Sequence, residues 1–174
     1  MKRMLAGVCC LALCCLPLMA QKRTAKMAGA TMTDQQFVDF AAQTDMVEAN
    51  LGQLAQTASS SQAVQNYGQM VTADHTQDYG NLFTAAQQAG LTVPGAIDTK
   101  NNDTMIGPFQ KLKGAAFDRK YIHEMIVGHE QAIAVYRREA TDAQNDAIKS
   151  YAQNALPVLQ KHLDAAKALL KKGR

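Results

Sequence analysis

At 174 residues, with no Trp and with charged residues forming 19% of the chain, the sequence is long enough to bury the core of one domain without disulfides. All four cysteines, Cys9, Cys10, Cys14 and Cys15, fall in the first fifteen residues, which excludes a disulfide framework, a thiolate nucleophile and a cysteine metal site elsewhere. A net charge of +3 with 6% aromatic residues, and no basic stripe interleaved with them, excludes a nucleic-acid surface.

Residues 1–20 have the three parts of a secretory signal peptide: Lys2 and Arg3, an apolar run from Met4 to Leu18, and the small Ala20 before Gln21. The run is too short to span a membrane. The sequence therefore predicts an exported chain, periplasmic or associated with an outer membrane, with no transmembrane span once processed. Cleavage fits best after Ala20, with Ala28-Gly29-Ala30 as a second place. Without Lys2 and Arg3, 16 basic residues face 15 acidic ones, a net of +1. Residues 33–103 carry eight acids and one base, and residues 104–174 carry twelve bases and seven acids. This split predicts two helical hairpins of opposite sign that attract on packing.

Residues 21–32 are small and basic without periodicity and read as a flexible leader to a domain over 33–172. A first helix opens at Thr33-Asp34-Gln35-Gln36, which has the form of a capping box. Its apolar face runs Phe37, Ala41, Thr44, Glu48, Leu51, Ala55 and Ala58, so one carboxylate interrupts the stripe. Ser59-Ser60-Ser61 is a tight connection that supplies an N-cap. The second helix then places Val64, Tyr67, Val71, His75, Asp78, Leu82 and Ala85 on one face. Gly90, Pro94 and Gly95 close it. The segment from Gly90 to Lys113 is long for a helix connection and reads as a crossover, with a short helix near Met105 to Leu112.

The third helix, entered after Gly114, carries the stripe Tyr121, Met125, His129, Ala132 and Tyr136. Thr141-Asp142-Ala143-Gln144 repeats the capping-box pattern and predicts a sharp turn near Thr141. The fourth helix buries Ile148, Tyr151, Ala155, Leu159, His162, Ala166 and Leu169 and stops at Gly173. Pro157 lies inside it, where a missing N–H and a clash with the preceding turn predict a kink or a break. The strand signal is absent throughout, and the pattern predicts an all-α chain, a four-helix bundle with a long connection between helices two and three.

Four inward-facing ionisable groups, Glu48, His75, His129 and His162, are the candidate metal ligands, because helical bundles build metal sites from facing side chains. Counted at about 1.5 Å per residue from the serine turn, Glu48 and His75 differ in height by only about 5 Å. His75 is the strongest ligand candidate, with Asp74 and Asp78 placed to orient its second nitrogen; a buried Glu48–His75 ion pair explains the same residues. The same count from Thr141 leaves His129 and His162 about 10 to 12 Å apart, too far for one ion without a register shift. Zn, Cu, Fe and Ni all suit imidazole ligands, and Met70 and Met125 nearby suit Cu(I) or are simply core filler. His123 and Arg137-Arg138 read as solvated surface. No phosphate loop, nucleophile elbow, HExxH or paired-cysteine motif is present.

The segments FVDFAAQTDMVEANLGQLA, YGQMVTADH, FDRKYIHEMIVGHEQAIAVY and LPVLQKHLDAA, in this order, resemble a bacterial family known as domain of unknown function 4142, assigned to the ferritin-like group of exported proteins. The resemblance covers Phe37 to Leu170 and implies a ferritin-like antiparallel bundle; it carries over no catalytic residues. A ferritin-like di-iron site needs a Glu three residues before each of two histidines, whereas Thr72 precedes His75 and Leu159 precedes His162. The first expectation is therefore an exported bundle that binds a metal ion through core His and Glu residues, in stress or metal handling. The second is a structural or interaction module of the envelope, meeting a protein partner or a second copy, in which the same groups form a hydrogen-bonded core. A metal oxidase is third, since no complete catalytic constellation is visible.

Overall fold

The computed structural model describes residues 32–172; the segments expected to be a signal peptide and most of a flexible leader, and the expected stop at Gly173, lie outside the described residues. Every element among the described residues is helical. The long helices are α1 (Asp34–Ala58), α2 (Gln62–Ala89), α4 (Gly114–Asp142) and α5 (Asp146–Lys172), with a single-turn α3 (Thr99–Asn101) between α2 and α4.

Local chemistry sets these boundaries. At Thr33 the expected capping box forms, the hydroxyl accepting from the Gln36 amide at 3.2 Å and the Gln36 side chain accepting from Thr33 N–H at 2.9 Å. Ser61 occupies the N-cap of α2, but its hydroxyl makes no cap bond. Instead the Ser59 hydroxyl closes the turn, accepting from Ser61 N–H at 3.0 Å. Gly90, at φ 69°, ends α2 in the left-handed region that glycine adopts without a Cβ penalty.

Of the expectations about the α4–α5 hairpin, the cap at Thr141 and a break at Pro157 are overturned. Thr141 does not cap a new helix: its hydroxyl donates back to the Arg138 carbonyl at 2.8 Å, and α4 continues to Asp142. The turn falls at Ala143 to Asn145, held by the Asp34 carboxylate, which accepts from the Gln144 and Asn145 amides at 2.9 and 2.8 Å. Asn145 then accepts from Ala147 N–H at 2.9 Å at the start of α5. Nor does α5 break at Pro157, which lies within one continuous helix. Pro157 and Gln153 are both exposed, so the carbonyl that loses its partner faces water.

The helical turns between α2 and α4 fall earlier than the sequence suggests. After α3 come a π-type turn at Asn102–Ile106 and a 3₁₀ turn at Gly107–Phe109. Gln43 of α1 ties this segment down, donating to the Ala96 carbonyl at 3.0 Å and accepting from Asp98 N–H at 2.9 Å. Ile106 and Phe109 are its buried anchors.

Helices α1 and α2 pack against each other most extensively, as do α4 and α5, with α2 also against α5. The α1–α2 approach is close because two glycines face it. A Cβ at Gly52 would stand 2.6 Å from the Gly68 carbonyl oxygen, and one at Gly68 would stand 2.7 Å from that of Gly52. Two apolar clusters form the core. One gathers Phe37, Leu82, Tyr136, Ile148, Tyr151 and Leu159; the other gathers Leu51, Tyr67, Phe117, Tyr121 and Met125. Between them along the helices fall the buried polar residues Asp45, Glu48, His75, His129 and His162.

Candidate metal centre

One histidine comes from each of three helices: His75 from α2, His129 from α4 and His162 from α5. All are at most 2% exposed. One ring nitrogen from each lies within 4.8 Å of the others. The turn shift explains how His129 and His162 meet. With its centre near Gln144 rather than Thr141, the two residues are nearly equidistant from the turn, about 5 Å apart in height. Side-chain reach closes that gap, and His129 Nε2 stands 3.2 Å from His162 Nδ1. The expectation that they are too far apart for one ion is therefore corrected.

The outer nitrogens of the three rings are fixed by three different partners. His129 Nδ1 lies 2.8 Å from the Met125 carbonyl, which only accepts, so this nitrogen carries the proton. His162 Nε2 lies 2.9 Å from Asp74, whose carboxylate also accepts from Lys161 at 2.8 Å. Burial works against ionising Asp74, yet the hydrogen bonds from Lys161 and His162 outweigh it and hold its pKa below the usual range. His162 therefore donates from Nε2. In both rings the inner nitrogen is left bare, so the 3.2 Å pair brings two acceptor lone pairs together with no proton between them.

His75 completes the group differently. Its Nδ1 meets Asp45 Oδ1 at 2.8 Å, while Nε2 has no hydrogen-bond partner among the described residues. Burial pushes Asp45 up to about 7 against the pull of His75. Burial also draws His75 down, but the Asp45 hydrogen bond and the charges of Glu48, Asp45 and Asp78 more than reverse it and raise its pKa. The pair thus retains a proton near neutrality. Burial, only partly opposed by Glu48, lowers His129; burial takes His162 down to about 4, and both stay neutral.

The other sequence candidates occupy the surroundings. Glu48 does not pair with His75; Asp45 does. Glu48 Oε1 stands 3.7 Å from His129 Nδ1, and its other oxygen is buried without a hydrogen-bond partner among the described residues. Gly128 gives it room, since a Cβ there would approach Oε1 to 3.2 Å. Asp74 and Asp78 do not orient His75. Adjacent residues on a helix diverge, so Asp74 turns to α5 and serves His162, while Asp78 accepts from Tyr151 at 2.7 Å. Met125 packs in the apolar core beside Tyr121, and His123 is exposed.

Asp45 is the residue that sequence reasoning missed. It lies one step off the Phe37–Ala41–Thr44–Glu48 stripe, on a second row formed by Val38, Ala42 and Asp45, all buried. That four-and-three spacing was the available signal, because a helix packed on two neighbours buries more than a single stripe.

The profile of a family described as Domain of unknown function (DUF4142) matches residues 19–169, which bears out the resemblance. No curated protein and no solved structure matches the chain. No helix among the described residues is long and apolar enough to cross a membrane.

Proposed function

This chain belongs to the DUF4142 family, whose biochemical role is unassigned, and we propose that it is an exported helical protein binding one divalent first-row transition ion through His75, His129 and His162. The observation that carries this reading is the convergence of three inner imidazole nitrogens whose outer nitrogens are already engaged. Carboxylates and carbonyls behind metal-bound histidines fix the tautomer and raise ligand basicity. Asp45, Met125 and Asp74 are positioned for that role.

The spacing of one pair also supports it, with the third ring nitrogen within 4.8 Å. Metal–nitrogen bonds of about 2.0–2.1 Å at tetrahedral angles put neighbouring nitrogens about 3.3 Å apart, close to the 3.2 Å between His129 and His162. Three neutral imidazoles with no thiolate suit Zn(II), Cu(II), Ni(II) or Fe(II), and leave a fourth position open. A di-iron centre does not suit these residues. Asp45 is committed to His75, and Asp74 to His162 and Lys161, so Glu48 alone is left to bridge, and Thr72 spends its hydroxyl on the Ala49 and Gly68 carbonyls.

The placement in the cell rests on the N-terminal pattern of Lys2, Arg3, the apolar run and Ala20, which supports export to the periplasm or outer membrane. The helix packing is consistent with a ferritin-like antiparallel four-helix bundle carrying a long connection. A role in metal handling follows from a buried site able to retain its ion. The test is thermal melting of untagged protein stripped of metal, then supplied in turn with Zn(II), Cu(II), Ni(II) and Fe(II). The reading requires at least one of them to raise the melting temperature at one equivalent per chain, and is lost if none does.

A further inference from the structure

The three imidazoles are sealed from solvent, and the route to them has its own features. A cleft of about 370 Å³ opens between α1, the Asp98–Met105 segment and α4, and Glu48 lines it. Its polar lining is one-sided. Asp39, Asp98 and Glu48 contribute carboxylates, Gln43, Asn101 and Gln131 contribute amides, and no Lys or Arg among the described residues lines it. Glu48 is at once part of this wall and 3.7 Å from His129, with its side chain only 9% exposed and Oε2 unpartnered. A carboxylate oxygen buried without a donor is costly, and a cation in the cleft is the partner it lacks.

From this arrangement the geometry points to a transit site: a divalent transition cation enters by the cleft, rests on Glu48, and passes from there to the three histidines. The inference rests on the metal-binding reading above and adds the route and the role of Glu48. Glu48 stands outside the group of converging ligand atoms, which consists of the three rings, so it acts on the approach of the ion and not as one of its final ligands. A second cavity, which shares Val47, Glu48, Met105 and Gly128 with the cleft, measures only about 50 Å³ and is lined by the Lys120–Glu124 ion pair, 3.1 Å between Nζ and Oε1. Its only ammonium is already neutralised by Glu124, and it is several times smaller than the cleft. The larger cleft is thus the favoured path. Acidic walls in a low-dielectric cleft raise association rates by about 10- to 1,000-fold.

The experiment is stopped-flow uptake of Co(II) by untagged metal-free protein, followed by its visible absorption, with elemental analysis of the end point. Two variants are compared with the parent: Glu48→Gln, which keeps shape and removes charge, and Asp39→Lys at the exposed mouth, which leaves the core untouched. Both are expected to slow uptake about tenfold or more while still reaching the parent's stoichiometry, and the Asp39→Lys effect should shrink as salt rises. If the parent loads and both variants load at its rate, the route is refuted while the metal centre stands. If Glu48→Gln folds but retains no ion, Glu48 is a ligand and the transit role is wrong. If the parent takes up no Co(II) and none of Zn(II), Cu(II), Ni(II) and Fe(II) raises its melting temperature, the metal-binding reading fails and the route with it.

Discussion

Replacing each histidine of the cluster by leucine does not cost the same, and the difference separates a metal site from a structural network. His129 donates to the Met125 carbonyl, which as part of α4 already accepts a helical N–H. Leucine at 129 breaks no hydrogen bond to a charged group, since Glu48 Oε1 stands 3.7 Å away, beyond hydrogen-bond reach, and it removes one of two facing lone pairs. A near-isosteric core exchange of this kind costs less than about 1.5 kcal/mol, or a melting shift within about 5 °C for a domain of this size. His75→Leu, by contrast, strips Asp45 of its only hydrogen-bond partner among the described residues, and breaking a buried pair costs about 3–5 kcal/mol, about 10 °C. Metal responds differently. At a hundredfold excess over the dissociation constant, an ion stabilises the parent by about 2.7 kcal/mol, a rise of about 5–10 °C. Both variants should lose that rise. The assay is calorimetric melting with and without Zn(II). The reasoning is refuted if His129→Leu keeps the parental rise, or if it destabilises the metal-free protein as much as His75→Leu does.

Three further outcomes follow from the geometry. Metal must displace the proton held by the Asp45–His75 pair, whose imidazole is raised; metal affinity should therefore fall as pH drops below that raised value, by about tenfold per unit for one proton displaced, as read by titration calorimetry from pH 8 downward. His162 makes its own contribution to the stability of the metal-free protein over a separate window. It is held down at about 4, so its contribution is complete above the ordinary imidazole value of about 6.5 and is lost as pH falls through about 4, while the raised Asp45 and His75 act in the opposite sense; urea melts of the parent and His162→Gln at a series of pH values isolate it as a difference in midpoint that changes between about pH 6.5 and 4. Finally, Gly52→Ala should weaken the fold. The new methyl group would meet Thr72 Oγ1 at 2.5 Å and a backbone oxygen at 2.6 Å, an overpacking cost of about 1–3 kcal/mol that exceeds or cancels the gain of about 1 kcal/mol in helix propensity; a higher urea midpoint would contradict the close α1–α2 approach.

Periodicity made the helices readable, since the stripe residues Phe37, Leu51, Val71, Leu82, Tyr121, Tyr136, Ile148 and Leu159 are all buried. It also singled out the three histidines, because an imidazole at a core position has to find a partner inside. Their meeting was hidden by one local error. Thr141 offers the residues of a capping box, but Asp34 from α1 holds the Gln144 and Asn145 amides, a contact separated by more than a hundred residues and invisible to local sequence reading. A three-residue displacement of the turn changes the relative height of facing residues by about 9 Å, because both arms move. Asp45 and the true partner of Asp74 escaped for a related reason. Which of several acids near a buried histidine turns toward it depends on helix rotation, and single-stripe patterns do not specify rotation finely enough.

The most direct measurement is X-ray absorption at the metal edge of untagged protein loaded with one equivalent of Zn(II). The account predicts three imidazole nitrogens at about 2.0–2.1 Å with one lighter ligand completing the shell, and loss of the imidazole pattern in His129→Leu. A shell of oxygens alone, or a spectrum unchanged by that substitution, would contradict it.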